Sequence, residues 1–209
     1  MAAMTRDEVI ARIEQGGNFV EADLSFTDLS GLDLSGKDFT YATMTRANMT
    51  GTIMKETVLT EAYMVEVEAD DADFSGATMH RTFLQRAFIQ GASFQGADLE
   101  KAQFMICRAK GANFSESRMW GTVLFDSILD ETNMDRADCT GANFRGATME
   151  GATLNGTVLV RADMRKVKFM GATFNEVVDE GVLFYGKKPW SGHTSGHDYK
   201  DMLPYYQED

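Results

Sequence analysis

Proline, cysteine and tryptophan are scarce in this sequence, and each scarcity narrows what the protein can be. The chain of 209 residues holds only two of each, and both prolines lie beyond residue 188. Two cysteines are too few for a disulfide framework, so we expect a reducing compartment, the cytoplasm. A chain without proline over its first 188 residues can use nearly every backbone amide in a continuous β-ladder.

The sequence also has fewer basic than acidic residues, and it has no long apolar run. Lys and Arg total 20 against 32 Asp and Glu, a net charge of −12. Direct nucleic-acid binding, which depends on cationic side chains at phosphates, is therefore not expected. No apolar run approaches the roughly 18 residues of a transmembrane helix, and the first residues carry no apolar stretch of signal-peptide length, so we expect no membrane association.

What the sequence does contain is a period of five residues. From Gly16 to Tyr185 it parses into 34 pentads without an insertion, and 30 of them have Leu, Phe, Met or Ile at the fourth position. The second position is almost always small, most often Ala or Thr. This period is neither that of a helix nor that of a strand, and fixed-period similarity indicates a solenoid whose units bury their apolar sides against their neighbours.

Several pentads resemble the repeat of a known family. Blocks such as Ala22-Asp23-Leu24-Ser25 and Ala112-Asn113-Phe114-Ser115 are similar to the A(D/N)LXX motif of the pentapeptide-repeat proteins. The resemblance implies an all-β fold, a right-handed quadrilateral parallel β-helix with four pentads per coil and about eight coils. It also implies that the second and fourth positions point inward, while the other three face outward.

Residues twenty apart should then stack on one face of the rod. We number the four faces by their first inward centres, which are Phe19, Leu24, Leu29 and Leu34, and we count coils of twenty residues from Gly16. Because the interior volume per coil is fixed, a small centre needs large neighbours, and Ala109 has Phe104 and Phe114 beside it.

The sequence divides into three segments. We expect a short helical cap over residues 1–15, the β-helix over 16–185, and a small C-terminal cap or tail over 186–209. Thr5 and Glu8 have the spacing of a capping box that begins a helix.

The C-terminal segment leaves two interpretations open. Asp179 occupies an inward position where a buried charge would be costly, which indicates a remodelled last coil. The tail is either a plug that folds back through Trp190, Met202, Leu203 and Tyr205, or a mobile segment that docks a partner.

Catalysis is not expected. A filled interior leaves no deep pocket, the repeat has no inserted loop to carry catalytic groups, and the usual phosphate-binding and metal-binding motifs are missing from the sequence. We therefore predict no enzymatic activity, no cofactor and no metal site. Cys107 and Cys139 fall at inward positions and are interpreted as buried core thiols.

Apolar side chains at outward positions suggest an interaction surface. They cluster in coils three to six, whereas the first two coils have short polar side chains at outward sites such as Ser25, Ser30, Ser35, Thr40 and Thr45. Such a patch is typical of a surface that binds a protein partner or a second copy, as in a homodimer; the alternative is that large side chains simply suit flat β faces. The candidate contact residues are Tyr63, Val65, Phe83, Phe88, Met105, Trp120, Val123 and Phe125.

A run of acidic residues is the second surface feature. It is interpreted mainly as a charged surface that keeps the rod in solution, with a binding role as the alternative. The acidic cluster consists of Glu56, Glu61, Glu66, Glu68, Asp70, Asp71 and Asp73.

The function hypothesis is a non-enzymatic scaffold that binds a protein through its flat outer faces. The family resemblance implies two alternatives. One is a DNA-mimicking modulator of a type II topoisomerase such as gyrase, and the other is a regulator of a signalling or developmental protein.

Overall fold

Residues twenty apart pair with one another along almost the whole of residues 3–192, the part of the chain that the computed structural model describes. Parallel bridges join Asp23 to Thr43 and Thr43 to Tyr63, and the series continues to the pair Asp163 and Leu183. Every bridge of the series lies at the third position of a pentad, and within residues 3–192 no strand extends beyond a single bridged residue. Coils of twenty residues, each with four bridged sides, therefore stack along one axis.

Each coil turns four corners, and every corner has the same backbone geometry. The first position of each pentad has φ between 53° and 76°. At the first corner the Ala22 N–H donates to the Phe19 carbonyl at 3.1 Å, and a positive φ at the third residue of such a turn is the pattern of a type II β-turn. Glycine adopts this conformation freely, but 19 corners use other residues, so the hydrogen bonds between coils hold them there.

The backbone bonds explain why Asp and Asn recur at the third position. The amides of positions one, three and four donate to neighbouring coils, and the amide of position two closes the corner turn. Only the fifth-position amide has no regular backbone acceptor. Where the third residue is Asp or Asn, its side chain accepts from this amide, as Asp33 Oδ1 does from the Ser35 N–H at 3.0 Å and Asn113 Oδ1 does from the Ser115 N–H at 3.1 Å.

We expect this arrangement to make the rod sensitive to acid. Hydrogen bonds from the Ser30 and Ser35 hydroxyl and amide groups lower the pKa of Asp28 and Asp33. A carboxylate whose folded-state pKa is lowered stabilises the fold fully above its unfolded pKa, about 3.9, and that contribution is lost as the pH falls through the lower folded-state value. The urea concentration at the midpoint of unfolding should therefore decrease once the pH drops below about 4.

The matched control for this prediction replaces three Asp residues by Asn, which occurs at the third pentad position elsewhere in the chain. The triple variant Asp23→Asn, Asp28→Asn, Asp33→Asn keeps the acceptor oxygens and cannot titrate, so its midpoint should fall less than that of the unaltered protein between about pH 5 and pH 3. Equal losses in the two proteins would contradict the prediction.

The interior is filled by the fourth-position side chains. From Phe19 to Met164 all of these centres are completely buried. Phe94 stacks between Phe74 and Phe114, with ring centroids 5.0 and 4.9 Å away, and meets the edge of Phe104 at 5.5 Å. Phe104 and Phe114 also contact each other at 6.0 Å across the coil that holds Ala109. The predicted volume compensation around Ala109 is confirmed.

Polar groups inside the rod have partners. The buried hydroxyl of Thr52 donates to the Leu29 carbonyl at 2.9 Å, and that of Thr82 donates to the Leu59 carbonyl at 2.7 Å. Cys107 and Cys139 are buried and form no disulfide, as predicted. Burial raises the pKa of the Cys107 thiol to about 12, which makes it a poor nucleophile.

A single helix precedes the coils. Helix α1 spans Arg6–Glu14, and the predicted capping box is present: the Glu8 N–H donates to Thr5 Oγ1 at 3.3 Å while the Thr5 N–H donates to Glu8 Oε2 at 2.7 Å. Val9 is buried against the first coil. The Arg6 guanidinium donates to the Asp28 and Ser30 carbonyls at 3.0 Å, so the helix is hydrogen-bonded to the coil that it covers.

Trp190 covers the last coil. Its ring lies 5.5 Å from Phe174 and 5.4 Å from Phe184, and its indole N–H donates to Asp179 Oδ2 at 2.7 Å. Lys188 Nζ lies 2.6 Å from the same oxygen. Burial alone would raise the pKa of Asp179, but the Lys188 and Trp190 hydrogen bonds and the Lys188 charge outweigh it and lower that pKa.

These contacts correct the expectation that the inward charge of Asp179 would be costly. The inward carboxylate of Asp179 does not carry an uncompensated charge, because residues that follow the repeat supply a cation and an N–H donor. The other side chains of the predicted plug, Met202, Leu203 and Tyr205, lie outside the described residues.

Candidate interaction surface

The second face brings six of the eight candidate contact residues together. Its third positions form one ladder in which Tyr63 pairs with Phe83, Phe83 with Gln103, and Gln103 with Val123. Its fifth positions run alongside that ladder. The six residues are Tyr63, Val65, Phe83, Met105, Val123 and Phe125.

The two rings at the start of this row form a flat aromatic surface. Tyr63 and Phe83 stack with centroids 4.8 Å apart and planes 6° from parallel, and Tyr63 is 46% exposed. The stack follows from the register, because third-position residues of successive coils lie side by side at the roughly 4.8 Å spacing of paired strands. In coil two the same positions are Thr43 and Thr45, so the apolar surface begins at coil three.

Phe88 lies round one corner, on the third face. The Arg108 guanidinium lies over its ring, 5.1 Å from the centroid. A shallow groove of about 480 Å³ runs along the corner between the second and third faces. It is lined by the apolar Phe88 and Ile106 and by the charged Arg46, Glu66, Glu68, Arg86 and Arg108.

Trp120 lies round the other corner, on the first face, where its side chain contacts charged neighbours. The Arg118 guanidinium lies 4.8 Å from the indole centroid, and the Trp120 side chain hydrogen-bonds Asp138. Arg118 in turn contacts Asp98, which also accepts from His80 Nε2 at 2.7 Å. The structure therefore places Trp120 in a charged network apart from the apolar row of the second face.

Sequence reasoning missed Ile106 as a candidate. Its side chain is 49% exposed and lies at a corner, between Met105 and the groove that Phe88 borders. The feature of the sequence that could have identified Ile106 is a β-branched residue at the first pentad position, where glycine and charged residues predominate.

The acidic cluster does not form one patch. Its members encircle coil three, with one at each corner: Glu56, Glu61, Glu66 and Asp71. Cations of neighbouring coils pair with several of them. Arg46 Nε lies 2.6 Å from Glu66 Oε2, and the hydrogen bond and charge of Arg46 lower the pKa of Glu66.

Three further contacts offset the acidic charge. Arg81 lies 3.4 Å from Glu61, and Lys55 lies 3.1 Å from Asp73. Asp70 accepts the Gln90 amide at 2.8 Å. The run therefore forms a ring of carboxylates whose partners are eighteen or twenty residues away in the sequence, and such exposed pairs each contribute little to stability.

Residues 3–192 contain neither a metal-binding cluster nor a membrane-spanning helix. That part of the chain holds no group of three or more His, Cys, Asp or Glu side chains placed to bind a metal ion. Of the helices described there, none has the length and apolar character needed to cross a membrane.

Comparison with solved structures supports the fold. HetL, a pentapeptide-repeat protein involved in heterocyst differentiation regulation from the cyanobacterium Nostoc sp. strain PCC 7120, is 21% identical. The alignment covers 91% of this chain and 99% of HetL with a TM-score of 0.58, so the two share a fold.

Two other solved structures show weaker likenesses to this chain. QnrB1, a plasmid-mediated fluoroquinolone resistance protein, is 16% identical over 71% of this chain and 90% of its own, with a TM-score of 0.41. Rfr23, a pentapeptide-repeat protein from the cyanobacterium Cyanothece 51142, is 14% identical over 84% and 96%, with a TM-score of 0.34. No curated protein matches the sequence significantly.

The family model described as pentapeptide repeats matches the sequence directly. Eight copies are found, at residues 18–55, 53–91, 72–108 and 137–175, and together these ranges cover more than half of the chain. With the five-residue period and the twenty-residue bridge register described above, this match assigns the chain to a family: it belongs to the pentapeptide-repeat proteins.

Proposed function

We propose that this chain is a non-enzymatic cytoplasmic scaffold that binds a protein through the apolar row of its second face. The observation that carries the proposal is the flat row that begins with the Tyr63 and Phe83 stack and continues to Phe125. Aromatic side chains on a rigid flat surface contribute strongly to interfaces, because little conformational entropy is lost when they are covered. The free, buried thiols of Cys107 and Cys139 fit the reducing compartment.

The row also differs from the polar surface on the opposite side of the rod. On the fourth face, third and fifth positions in the same coils carry Ser93, Gln95, Asn113 and Asn133. A general preference of β faces for large side chains would act on both faces alike. The contrast between two faces of one rod therefore favours an interaction role for the second.

The test is capture of partner proteins from the native host by two matched variants. Phe83→Asp with Phe125→Asp places a carboxylate at positions where the repeat already tolerates one, as at Asp163 and Asp130, so the fold should persist. The control, Ser93→Asp with Gln95→Asp, adds the same charge to the fourth face. We expect the second-face variant to lose at least about tenfold in capture, and the control to retain it.

Equal capture by both variants would contradict the proposal. Circular dichroism of each variant distinguishes lost binding from lost folding, since a folded protein should keep its β signal.

The topoisomerase alternative has less support from the surface. Mimicry of DNA needs a row of available carboxylates along the rod, whereas the acidic residues of coil three encircle it and several are ion-paired. The regulatory alternative is compatible with the proposed scaffold, because a regulator of a signalling protein would also act by binding it.

A further inference from the structure

The second face is basic in coils seven and eight, near the C-terminal end of the rod. With the corners that border it, this part of the face carries four cations and one carboxylate, a net charge of +3, in a chain whose net charge is −12. Counted in the same way, none of the other three faces exceeds +1 in these two coils. The five charged residues are Arg145, Arg161, Asp163, Arg165 and Lys166.

A groove lies in this basic part, at the corner between the second and third faces. Its volume is about 430 Å³. Gly146 has no side chain to fill the corner between Asp126 and Lys166, and the cations of the groove outnumber its one carboxylate. From the end of the rod inward, the groove is therefore basic first and then apolar at Phe125, where the apolar row ends. The residues that line it are Phe125, Asp126, Asn143, Arg145, Gly146 and Lys166.

The residues that follow Gly192 have a composition complementary to this groove. Residues 193–209 hold four carboxylates and one lysine, a net charge of −3 with neutral histidines. Acidic residues come first, at Asp198 and Asp201, and an apolar stretch over residues 202–206 comes next. The charged residues of the segment are Asp198, Lys200, Asp201, Glu208 and Asp209, and its apolar stretch contains Met202, Leu203, Pro204, Tyr205 and Tyr206.

We propose that residues 193–209 bind the second face of their own chain and run from the last coil back to the groove. Because the segment starts at the end of the rod, its order of acidic and then apolar residues matches the order of basic and then apolar residues on the face. Asp198 and Asp201 meet the cations of coil eight, and the apolar stretch meets Phe125. The inference goes beyond the proposed function and does not depend on it.

The segment is long enough for this path. Coils lie about 4.8 Å apart, so coil six is about 15 Å from coil nine, and 17 extended residues span up to about 56 Å. The step of about 10 Å from coil eight to coil six needs about three extended residues, which is the separation of Asp201 from Pro204. A short tether also gives an effective concentration in the millimolar range, so a weak contact is enough to hold the segment.

Two other parts of the rod suit the segment less well. At the end of the rod, Trp190 already covers Phe174 and Phe184, and residues 176–192 carry three carboxylates against two lysines, a net charge of −1. In coils one to three the second face and its corners carry four carboxylates and one guanidinium, a net charge of −3. Both parts have the same sign of charge as the segment and would repel it.

The first test links the segment to the groove in the full chain. Asn143→Cys with Met202→Cys places one thiol in the groove and one just after the acidic residues. A bis-maleimide spanning about 10 Å, the distance between packed β layers, should link them within one molecule. Cys107 and Cys139 should not react, because burial raises the pKa of both thiols. The matched control, Thr153→Cys with Met202→Cys, uses the fourth face of the same coil and should link at least about fivefold less.

Two results of this first test would overturn the inference. One is equal linking of the two cysteine pairs, which would show that the segment has no preference for the second face. The other is linking only between molecules, seen as a dimer mass, which would assign the segment to a second copy of the chain.

The second test reverses the charge of the groove in the linkable protein. Arg161→Glu with Lys166→Glu should lower linking about tenfold, because both changes place carboxylates against an acidic segment. The fold should persist, since Glu61 and Glu66 occupy the same two corners in coil three. Linking in the unreversed protein should also fall as salt rises, because exposed charges are screened.

A compensating change and a matched control complete this test. Asp198→Lys with Asp201→Lys, added to the reversed groove, should restore linking to within about twofold, because opposite charges face each other again. Lys55→Glu with Arg136→Glu makes the same change in net charge at the fourth face and one of its corners, and it should leave linking unchanged. Linking that ignores the reversed groove, or that the segment lysines fail to restore, would overturn the inference.

Discussion

Phe94→Ala should cost about 3–5 kcal/mol in the free energy of unfolding, because a completely buried ring is replaced by a methyl group in a rigid interior. Phe94 touches Phe74 in the coil before, and Phe104 and Phe114 in the coil after. Neighbouring coils cannot close the gap, because their spacing is fixed by the backbone ladder above and below. The cavity term therefore adds to the lost burial.

The loss should also change how the rod unfolds. A solenoid is stabilised mainly by contacts between neighbouring units, so a defect in its middle weakens the coupling between the two halves. We expect guanidinium denaturation to show a lower midpoint, and a broadened or two-step transition if the halves separate.

The matched control for Phe94→Ala is a phenylalanine outside the core. Phe26 is 69% exposed, and Phe26→Ala should change stability by no more than about 0.5 kcal/mol. A loss of less than about 1 kcal/mol for Phe94→Ala would contradict a close-packed interior.

Trp190→Ala should destabilise the last coil by about 3 kcal/mol, because the indole covers Phe174 and Phe184 and donates to Asp179. Removing it exposes two aromatic rings and leaves the carboxylate with Lys188 alone. The effect should be local, since the end of a stacked array opens without the rest. Hydrogen exchange at the Met164 amide, which donates to Leu183 in the last coil, should quicken.

Trp190→Phe separates the two contributions of this side chain. A phenylalanine keeps most of the ring contacts and loses the N–H donor, so the cost should be about 1 kcal/mol. Exchange at amides in the middle of the rod, such as Leu99, should be unchanged in both variants. Equal losses for Trp190→Ala and Trp190→Phe would show that covering the rings contributes nothing.

Much of the candidate surface followed from the register alone. Once coils of twenty residues are accepted, Tyr63, Phe83 and Val123 must share one ladder, and the structure confirms that they do. The same register places Trp120 and Phe88 round the corners from that ladder, on the first and third faces. What the register could not give was the set of contacts that each side chain makes, such as the Arg118 and Asp138 contacts of Trp120.

The repeat of five residues, together with the family resemblance that assigns its inward positions, determined the interior of this protein. Its fourth positions are completely buried from Phe19 to Met164 because a repeating backbone gives each pentad position one environment. Only the tertiary structure decided the electrostatics of the surface. Seven acidic residues that lie close together in the sequence are divided among the four sides of coil three. The cations that pair with them, such as Arg46 with Glu66, belong to neighbouring coils. Outward side chains are not fixed by packing, so their partners depend on which groups the stacking brings within reach.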